Sequence, residues 1–284
     1  MQYLNGLSLS DLSEFGRRHY DSYQSAAPFP NGSFDDFFSA ESLRAMLEEF
    51  PDLRGKPDRD FNTPNEVKRV SSGEYRFGPQ TRSFMHFLNS QPFLEFLSAL
   101  TGIEGLMPDP YFEGGGCHEI LPGGYLKLHA DFNKHRRTKL DRRLNVLIYL
   151  NEDWKEEYGG HFEMWNKDMT QCAKKILPIF NRMAIFTTTD FSFHGHPEPL
   201  TCPPNRSRRS LALYYYTNGR PAEEINGGVT EHSTLFVYRG DNDRTADEYS
   251  KRIFEDRRIK SIAREFVPPV LLNSLRRMQG KRLR

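Results

Sequence analysis

The spacing of apolar residues predicts a helix that begins soon after Ser39. Ser39 suits a helix N-cap, since its side chain can accept a hydrogen bond from a backbone N–H of the first turn. Apolar side chains then recur at intervals of three and four residues, which places them on one face of a helix: Leu43, Met46, Leu47 and Phe50. Pro51 is expected to end this helix.

Two more helices are predicted in the first third of the chain. They cover residues 81–88 and 92–100, and Pro92 at the start and Gly102 after the end of the second fit known helix boundaries. Residues 52–80 are rich in Pro, Arg, Asp and Asn and are expected to form a long loop. Residues 1–27 are polar and only weakly patterned, so the pattern predicts no element there.

After a triplet of glycines at 114–116 the pattern becomes that of strands. Short runs with strand composition follow at close intervals: residues 117–121, 125–129, 144–150, 161–165, 183–187 and 210–217. Turn signals such as Pro-Gly-Gly, Tyr-Gly-Gly and Pro-Pro-Asn separate them. Several short strands with such turns favour a double-sheet barrel, sandwich or jelly roll.

Composition narrows the class of protein. With 37% hydrophobic and 13% aromatic residues among 284, the chain can bury a sizeable core. A formal net charge of +1 gives no global argument for nucleic acid or a membrane surface. Three widely spaced cysteines fit a reducing compartment, and neither a signal peptide nor an apolar run long enough to span a membrane is visible. A soluble, cytoplasmic protein is therefore expected.

The candidate chemistry begins with His129 and Asp131 on the second predicted strand. Residues i and i+2 of a strand face the same side, so both side chains can reach one metal ion. A second histidine would complete the two-His, one-carboxylate triad of non-haem Fe(II) oxygenases. His194 and His196 are the candidates. The H-x-D pair alone is weak evidence, because His and Asp often occur at this spacing by chance.

A carboxylate-binding pair follows on the last predicted strand. Arg208 and Ser210 share one face of this strand, and a guanidinium can bind a carboxylate through two hydrogen bonds. Arg209 would face the opposite side and Arg206 falls in the preceding turn. A 2-oxo acid that chelates a metal needs such a cation at its far end, so Arg208 is the favoured residue.

These motifs together resemble the Fe(II)/2-oxoglutarate-dependent oxygenases, within the prolyl 4-hydroxylase-like branch. The resemblance is weak over residues 28–50 and good over 110–217. It is carried by five features in order: His129-x-Asp131, a strand that ends Tyr149-Leu150-Asn151, Gly159-Gly160 before a strand, His194 ahead of Pro199-Leu200, and Arg208 on the last strand.

The resemblance implies a mainly β fold with flanking helices, a double-stranded β-helix (jelly-roll, cupin-like barrel) supported by N-terminal α-helices. It implies a single catalytic unit over 1–284. Within it we expect helical support over 1–109, the β-helix over 110–220 and an appendage with a basic helix over 221–284. In that appendage, residues 233–238 are expected to extend the sheet, and apolar residues between 270 and 278 to form one helix face.

The resemblance also implies a ligand set and a reaction. His129, Asp131 and His194 would bind Fe(II). His194 is favoured over His196 because the His-Gly pair that it begins matches the family motif. Arg208 and Ser210 would bind the distal carboxylate of 2-oxoglutarate. With O2 as second cosubstrate, and ascorbate as an optional addition, the products would be succinate, CO2 and a hydroxylated small molecule or peptide.

Two further residues are candidates for cosubstrate binding. Tyr125 shares the face of His129, although packing in the barrel wall explains it equally well. Asn145 lies on the strand that ends Tyr149-Leu150-Asn151, where a structural hydrogen bond is the alternative.

Two other functions compete with the oxygenase. One is a non-oxidative metal-binding barrel, either a ligand-binding protein or a cupin-like isomerase, which has no need of Arg208. The other is a nucleic-acid-associated role through the basic residues after 250, against which the near-neutral net charge argues. The sequence leaves the substrate and the oligomeric state open.

Overall fold

The structure, a computed structural model, describes residues 3–226 and 231–266. The chain divides into two compact units, Met1–Val237 and Tyr238–Arg284. None of the helices in the described part has the length and apolar character that crossing a membrane requires.

Four helices lie in the first unit: α1 (Leu12–Gln24), α2 (Ala40–Glu48), α3 (Pro79–Leu88) and α4 (Gln91–Thr101). The last three confirm the predicted helices. Ser39 caps α2 by accepting the N–H of Ser42, and Gly102 ends α4 in the left-handed conformation. The sequence pattern did not predict α1, because polar residues dominate this segment, although Leu12, Phe15 and Tyr23 of the helix pack into the core.

Thirteen strands are present among the described residues: β1 (Asn31–Asp35), β2 (Arg59–Thr63), β3 (Glu66–Val70), β4 (Met107–Pro108), β5 (Gly116–Ile120), β6 (Tyr125–Ala130), β7 (Asp141–Tyr149), β8 (Phe162–Trp165), β9 (Cys172–Ile176), β10 (Arg182–Thr187), β11 (His194–His196), β12 (Arg208–Thr217) and β13 (Leu235–Phe236). The six predicted strands correspond to β5, β6, β7, β8, β10 and β12. All pairings are antiparallel.

The strands wrap around a common interior. Their order is β1-β10-β7-β12-β5-β3-β6-β11-β8-β9, so one half of the barrel carries β7 and β12 and the other carries β6 and β11. Strand β3 joins the halves by pairing with both β5 and β6. The predicted double-stranded β-helix with helical support is therefore confirmed.

The expectation of a long loop over 52–80 was wrong. This segment contains the hairpin of β2 and β3, and α3 begins at its end. Most side chains of the hairpin are charged or polar and half-buried or exposed, so they carry no clear alternation of apolar and polar positions. The strand character of β3 depends on pairing with β5 and β6, which the local sequence does not reveal.

The helices cover the outer face of one half of the barrel. Alternate residues of β7 point outward into a Phe-rich core beneath the helices: Leu144, Val146 and Ile148. In that core Phe37 of the β1–α2 connection stacks on Phe96 of α4, with ring centroids 5.3 Å apart. Because strand residues alternate between faces, Asn145, Leu147 and Tyr149 are left facing the barrel interior. The apolar outer face thus fixes which polar residues enter the interior.

Two expectations concern the segment after residue 220. Strand β13 pairs with β6, which confirms that part of 233–238 extends the sheet. In the second unit, α5 (Arg244–Phe266) follows an ion pair between Arg239 and Asp243. The helix face predicted between 270 and 278 lies outside the described residues.

Candidate active site

The barrel brings together His129, Asp131 and His194, which are separated by up to 65 positions in the sequence. His129 lies on β6 and is paired with His194 on β11, while Asp131 follows the end of β6. Potential ligand atoms of the three side chains all lie within 4.8 Å of one another. His129 Nε2 is 3.7 Å from Asp131 Oδ1, and His194 Nε2 is 3.4 Å from Asp131 Oδ2.

Backbone carbonyls set the tautomer of both histidines. His129 Nδ1 donates to the carbonyl of Lys127 and His194 Nδ1 to that of Ser192, each over 2.8 Å. A carbonyl can only accept, so each Nδ1 carries the proton and each Nε2 offers a lone pair towards Asp131. Two such nitrogens and one carboxylate are the donor set of non-haem Fe(II) sites, so the residues fit this metal.

Charge around Asp131 keeps it ionised. Burial would raise the pKa of this carboxyl, but the positive charge of Arg142 outweighs it, together with His194, and holds the pKa well below its usual range. Burial also lowers the pKa of His194, although Asp131 opposes the shift. A divalent metal binds an ionised carboxylate and an unprotonated imidazole nitrogen, so the lowered pKa values of Asp131 and His194 both favour metal binding.

Arg142 was not among the candidates from sequence. Its side chain is only 1% exposed, and its guanidinium lies between two rings, 4.4 Å from the centroid of Phe132 and 3.4 Å from that of Tyr214. Its Nε donates to Asn145 Oδ1 over 2.8 Å. Strand alternation from Asn145 would turn Arg143 inward, but the register of β7 against β12 shifts between Tyr215 and Tyr216, so that Arg142 enters the interior instead. The local sequence carries no signal for this shift.

One cavity connects this cluster to the predicted carboxylate-binding residues. Its wall includes all three members of the cluster, Asn145, and the pair Arg208 and Ser210 on β12. Arg208 is 5% exposed, and its guanidinium lies 4.9 Å from the centroid of the Tyr149 ring. Within the described part of the first unit, no carboxylate lies within ion-pair distance of Arg208, which donates to the Gly160 carbonyl and the Tyr149 hydroxyl. A buried guanidinium without a carboxylate partner can bind the carboxylate of a ligand.

The Gly159-Gly160 motif makes room for Arg208. The backbone of Gly160 has φ +73°, and a Cβ there would lie 2.6 Å from Leu200 Cδ2 and 3.0 Å from Arg208 Cδ. The carbonyl of Gly160 accepts a hydrogen bond from Arg208 Nε over 2.8 Å. Glycine is therefore required at this position for both conformation and space.

The structure also separates the alternatives that the sequence left open. His196 lines the cavity but is not part of the cluster of potential metal ligands. Arg209 lies on the other face of β12, with its Nε 3.2 Å from Glu119 Oε1, and Arg206 donates to the carbonyl of Glu152.

The two further cosubstrate candidates lie in different places. Asn145 lines the cavity and donates to Asp131 Oδ2 over 2.8 Å. Tyr125 lies outside the cavity wall, and its hydroxyl donates to the carbonyl of Thr63 over 3.3 Å. Its role towards the cosubstrate stays a prediction.

Lys68 and His118 also line the cavity and were missed as functional candidates. Lys68 lies on β3, in the segment expected to be a loop, and pairs with Glu66 at 2.9 Å. His118 lies on β5 opposite Ser210 of β12.

Comparison with known proteins relates this site to a family. The model of the 2OG-Fe(II) oxygenase superfamily matches residues 115–249. No curated protein sequence matches the chain significantly.

Three solved structures have a similar fold. A prolyl 4-hydroxylase from Pseudomonas putida is 18% identical over 73% of this chain and 99% of its own, with a TM-score of 0.52. A prolyl hydroxylase from Trichoplax adhaerens, in complex with a hypoxia inducible factor peptide fragment, is 16% identical over 73% and 91%, with a TM-score of 0.52. HygX from Streptomyces hygroscopicus, with nickel, 2-oxoglutarate and hygromycin B bound, is 13% identical over 77% and 97%, with a TM-score of 0.50.

At these identities the structural likeness concerns the fold alone. The family match covers the strands that carry the His-Asp-His cluster and Arg208, and the fold around them is that of the prolyl hydroxylase structures. Residues 115–249 accordingly match a superfamily of oxygenases that depend on Fe(II), 2-oxoglutarate and O2, the His-Asp-His cluster fits this cofactor set, and the fold is that of the prolyl hydroxylase structures.

Proposed function

We propose that this protein hydroxylates a C–H bond of its substrate and converts 2-oxoglutarate to succinate and CO2. His129, Asp131 and His194 are the proposed iron ligands. The observation that supports the proposal best is the single cavity with the ligand cluster in its wall and the buried Arg208, without a carboxylate partner among the described residues, in the same wall. A barrel that only bound a metal would have no use for this arginine.

The three ligands have one task, which is to hold the metal from one side. Iron bound there supplies the activation of O2, coupled to the oxidative decarboxylation of 2-oxoglutarate. The two imidazoles are fixed by hydrogen bonds from Nδ1 to backbone carbonyls, and Asp131 by Asn145 and Arg142. Such fixed partners orient ligands and raise metal affinity.

Arg208 and Ser210 are proposed to bind the far carboxylate of 2-oxoglutarate. The Nε of Arg208 donates to the Gly160 carbonyl and its Nη2 to the Tyr149 hydroxyl over 3.4 Å, so Nη1 and the second N–H of Nη2 remain for the ligand. Burial strengthens a charge-assisted hydrogen bond because the local dielectric is low. This contact would fix the cosubstrate so that its 2-oxo acid end reaches the metal.

Apolar side chains beside the ligands limit access of water. The ring of Phe186 lies 4.6 Å from that of His194 and the ring of Phe162 lies 5.4 Å from it, measured between centroids. Leu147 lines the same cavity. We propose that these residues keep the oxidising site dry, which protects the protein from side reactions.

The substrate is proposed to be a small molecule or a residue of a peptide. The similar solved structures were determined with a hypoxia inducible factor peptide fragment in one case and with hygromycin B in another.

The test measures succinate formed from 2-oxoglutarate in air, with Fe(II) and ascorbate but no added substrate. The wild type is expected to form succinate slowly, and Arg208→Met at least about tenfold more slowly at the same subsaturating 2-oxoglutarate, since it loses a charge-assisted contact. Arg209→Met is the matched control, because Arg209 contacts Glu119 on the opposite strand face and should leave the rate unchanged.

Two results would contradict the proposal. One is a wild-type protein that binds Fe(II) and forms no succinate, which would favour the non-oxidative barrel. The other is equal turnover by the wild type and Arg208→Met. Once a substrate is found, incorporation of 18O from 18O2 into the product distinguishes hydroxylation from other oxidations.

A further inference from the structure

His196 is a buried side chain that the proposed chemistry does not yet use. It is 4% exposed and lines the cavity between the metal cluster and Arg208. Neither of its ring nitrogens has a hydrogen-bond partner in the described part of the chain. An unpaired buried polar group costs free energy, so a histidine with two unpaired nitrogens in a cavity wall indicates a ligand that pairs with it.

The position of His196 along β11 indicates which part of a ligand it would meet. It lies two residues beyond His194 on β11, and both side chains line the cavity, although the register of β11 against β6 shifts between them. A strand advances about 6.8 Å over two residues. The terminal carbons of an extended five-carbon diacid are about 5 Å apart. His196 is therefore at the level of the far carboxylate when the other end of the diacid is at the metal.

Other charged groups mark the same end of the cavity. The charges that act on the His196 ring are, in order of size, those of Arg208, Lys68 and His129. Arg208 and Lys68 line the same cavity as His196; Lys68 pairs with Glu66, whereas Arg208 has no carboxylate partner in the described part of the first unit and can attract an anion.

We infer that His196 is a further cosubstrate-binding residue, and that its ring donates an N–H to the far carboxylate of 2-oxoglutarate beside Arg208 and Ser210. This inference rests on the proposed function, since it takes 2-oxoglutarate to lie between the metal and Arg208. It adds a selective contact: a 2-oxo acid without the second carboxylate leaves His196 unpaired and is disfavoured.

The test compares two ligands under anaerobic conditions with the Fe(II)-loaded protein. One is 2-oxoglutarate and the other is 2-oxopentanoate, which has the same chain length but no second carboxylate. Dissociation constants are measured by calorimetry for the wild type, His196→Val, which removes the donor, and His196→Gln, which keeps an N–H. The matched control is His161→Val, because His161 pairs with Glu156 and lies outside the cavity wall.

We expect His196→Val to raise the Kd for 2-oxoglutarate about tenfold and to leave that for 2-oxopentanoate unchanged. His196→Gln should recover much of the loss, and His161→Val should bind both ligands as the wild type does. The affinity for Fe(II) itself, measured without either ligand, should stay within about twofold of wild type in all variants.

Three results would overturn the inference. An unchanged Kd for 2-oxoglutarate in His196→Val would show that the ring makes no contact with it. An equal loss for both ligands, or a loss of Fe(II) affinity, would place the effect at the metal or in the fold. A wild type that binds Fe(II) but neither 2-oxo acid would refute the proposed function itself, and the inference with it.

Discussion

Nη2 of Arg142 lies 3.0 Å from Oδ2 of Asp131 inside the barrel. Asn145 Nδ2 donates to the same oxygen over 2.8 Å, so Oδ2 is held from two sides. The other oxygen, Oδ1, is left to a metal. The guanidinium itself is held by Asn145 and by the rings of Phe132 and Tyr214. Arg142 is thus a positioning residue for the proposed carboxylate ligand.

The first prediction concerns metal affinity. Arg142→Met removes the charge that holds Asp131 while keeping much of the volume between the two rings. We expect the Kd for Fe(II) or Mn(II) to rise by about 10- to 100-fold, as is typical when a partner of a metal ligand is lost. Calorimetric titration of the metal-free protein under anaerobic conditions measures this.

Arg143→Met is the control for this prediction. Arg143 is the adjacent residue, but its Nη2 pairs with Glu224 at 2.9 Å and its Nη1 donates to Thr217. We expect this variant to lose stability and keep its metal affinity. Equal metal affinity in Arg142→Met and Arg143→Met would show that the contact with Asp131 has no role in metal binding.

The second prediction separates cosubstrate binding from metal binding. A Cβ at residue 160 would collide with Leu200 and press on Arg208, so Gly160→Ala should displace the guanidinium. We expect the Kd for 2-oxoglutarate to rise at least tenfold, with Fe(II) affinity close to wild type. Both constants can be measured by anaerobic calorimetry.

Gly159→Ala is its matched control. Gly159 also has a positive φ of +67°, so alanine costs similar backbone strain there, but nothing lies within 4 Å of its Cβ position. Comparable loss of 2-oxoglutarate affinity in both variants would mean that strain in the turn, rather than contact with Arg208, is responsible.

Some of the proposed site residues can be identified from their neighbours in the chain. His129 and Asp131 share a strand face through their spacing alone, and Arg208 is distinguished from Arg209 by strand alternation. The choice between His194 and His196 needed the structure. Both histidines lie on β11, and their positions in the sequence do not distinguish them. The pairing of β11 with β6 places His194 opposite His129.

The third prediction concerns pH and His118. Loss of hydration in the cavity wall lowers the pKa of His118 to about 3, and the charge of Lys68 adds to this effect. Between pH 6.5 and pH 3 the unfolded chain therefore binds a proton that the folded protein does not. Stability attributable to this residue is unchanged above pH 6.5 and falls with pH below it, by up to about 1.4 kcal/mol per pH unit.

His118→Gln tests that sign, since glutamine can keep the hydrogen bond that His118 Nε2 donates to the Gly114 carbonyl but does not titrate. Urea unfolding of the metal-free proteins at pH 7.5 and 5.5 should show the wild type losing about 1.4 kcal/mol more than the variant over this interval. A parallel loss in both proteins would contradict the half-buried, neutral state of His118.

The residues that the sequence missed depend on contacts between distant segments. Lys68 reaches the cavity because β3 pairs with β5 and β6. Arg142 contacts Asp131 because β7 and the residue after β6 both contribute side chains to the same cavity wall. Helix α1 was missed for a related reason, since its packing on α4 through Leu12 and Phe15 is not visible in a segment that is mostly polar.

The central claim is that His194, and not His196, is the third iron ligand in a site that also binds 2-oxoglutarate. Anaerobic titration of the Fe(II) protein with 2-oxoglutarate, followed by the visible charge-transfer band of the chelated 2-oxo acid, tests it most directly. The wild type should develop the band, and His196→Ala should develop it at higher 2-oxoglutarate concentration. His194→Ala should bind iron weakly and give no band. A band that survives in His194→Ala and disappears in His196→Ala at every concentration would contradict this account.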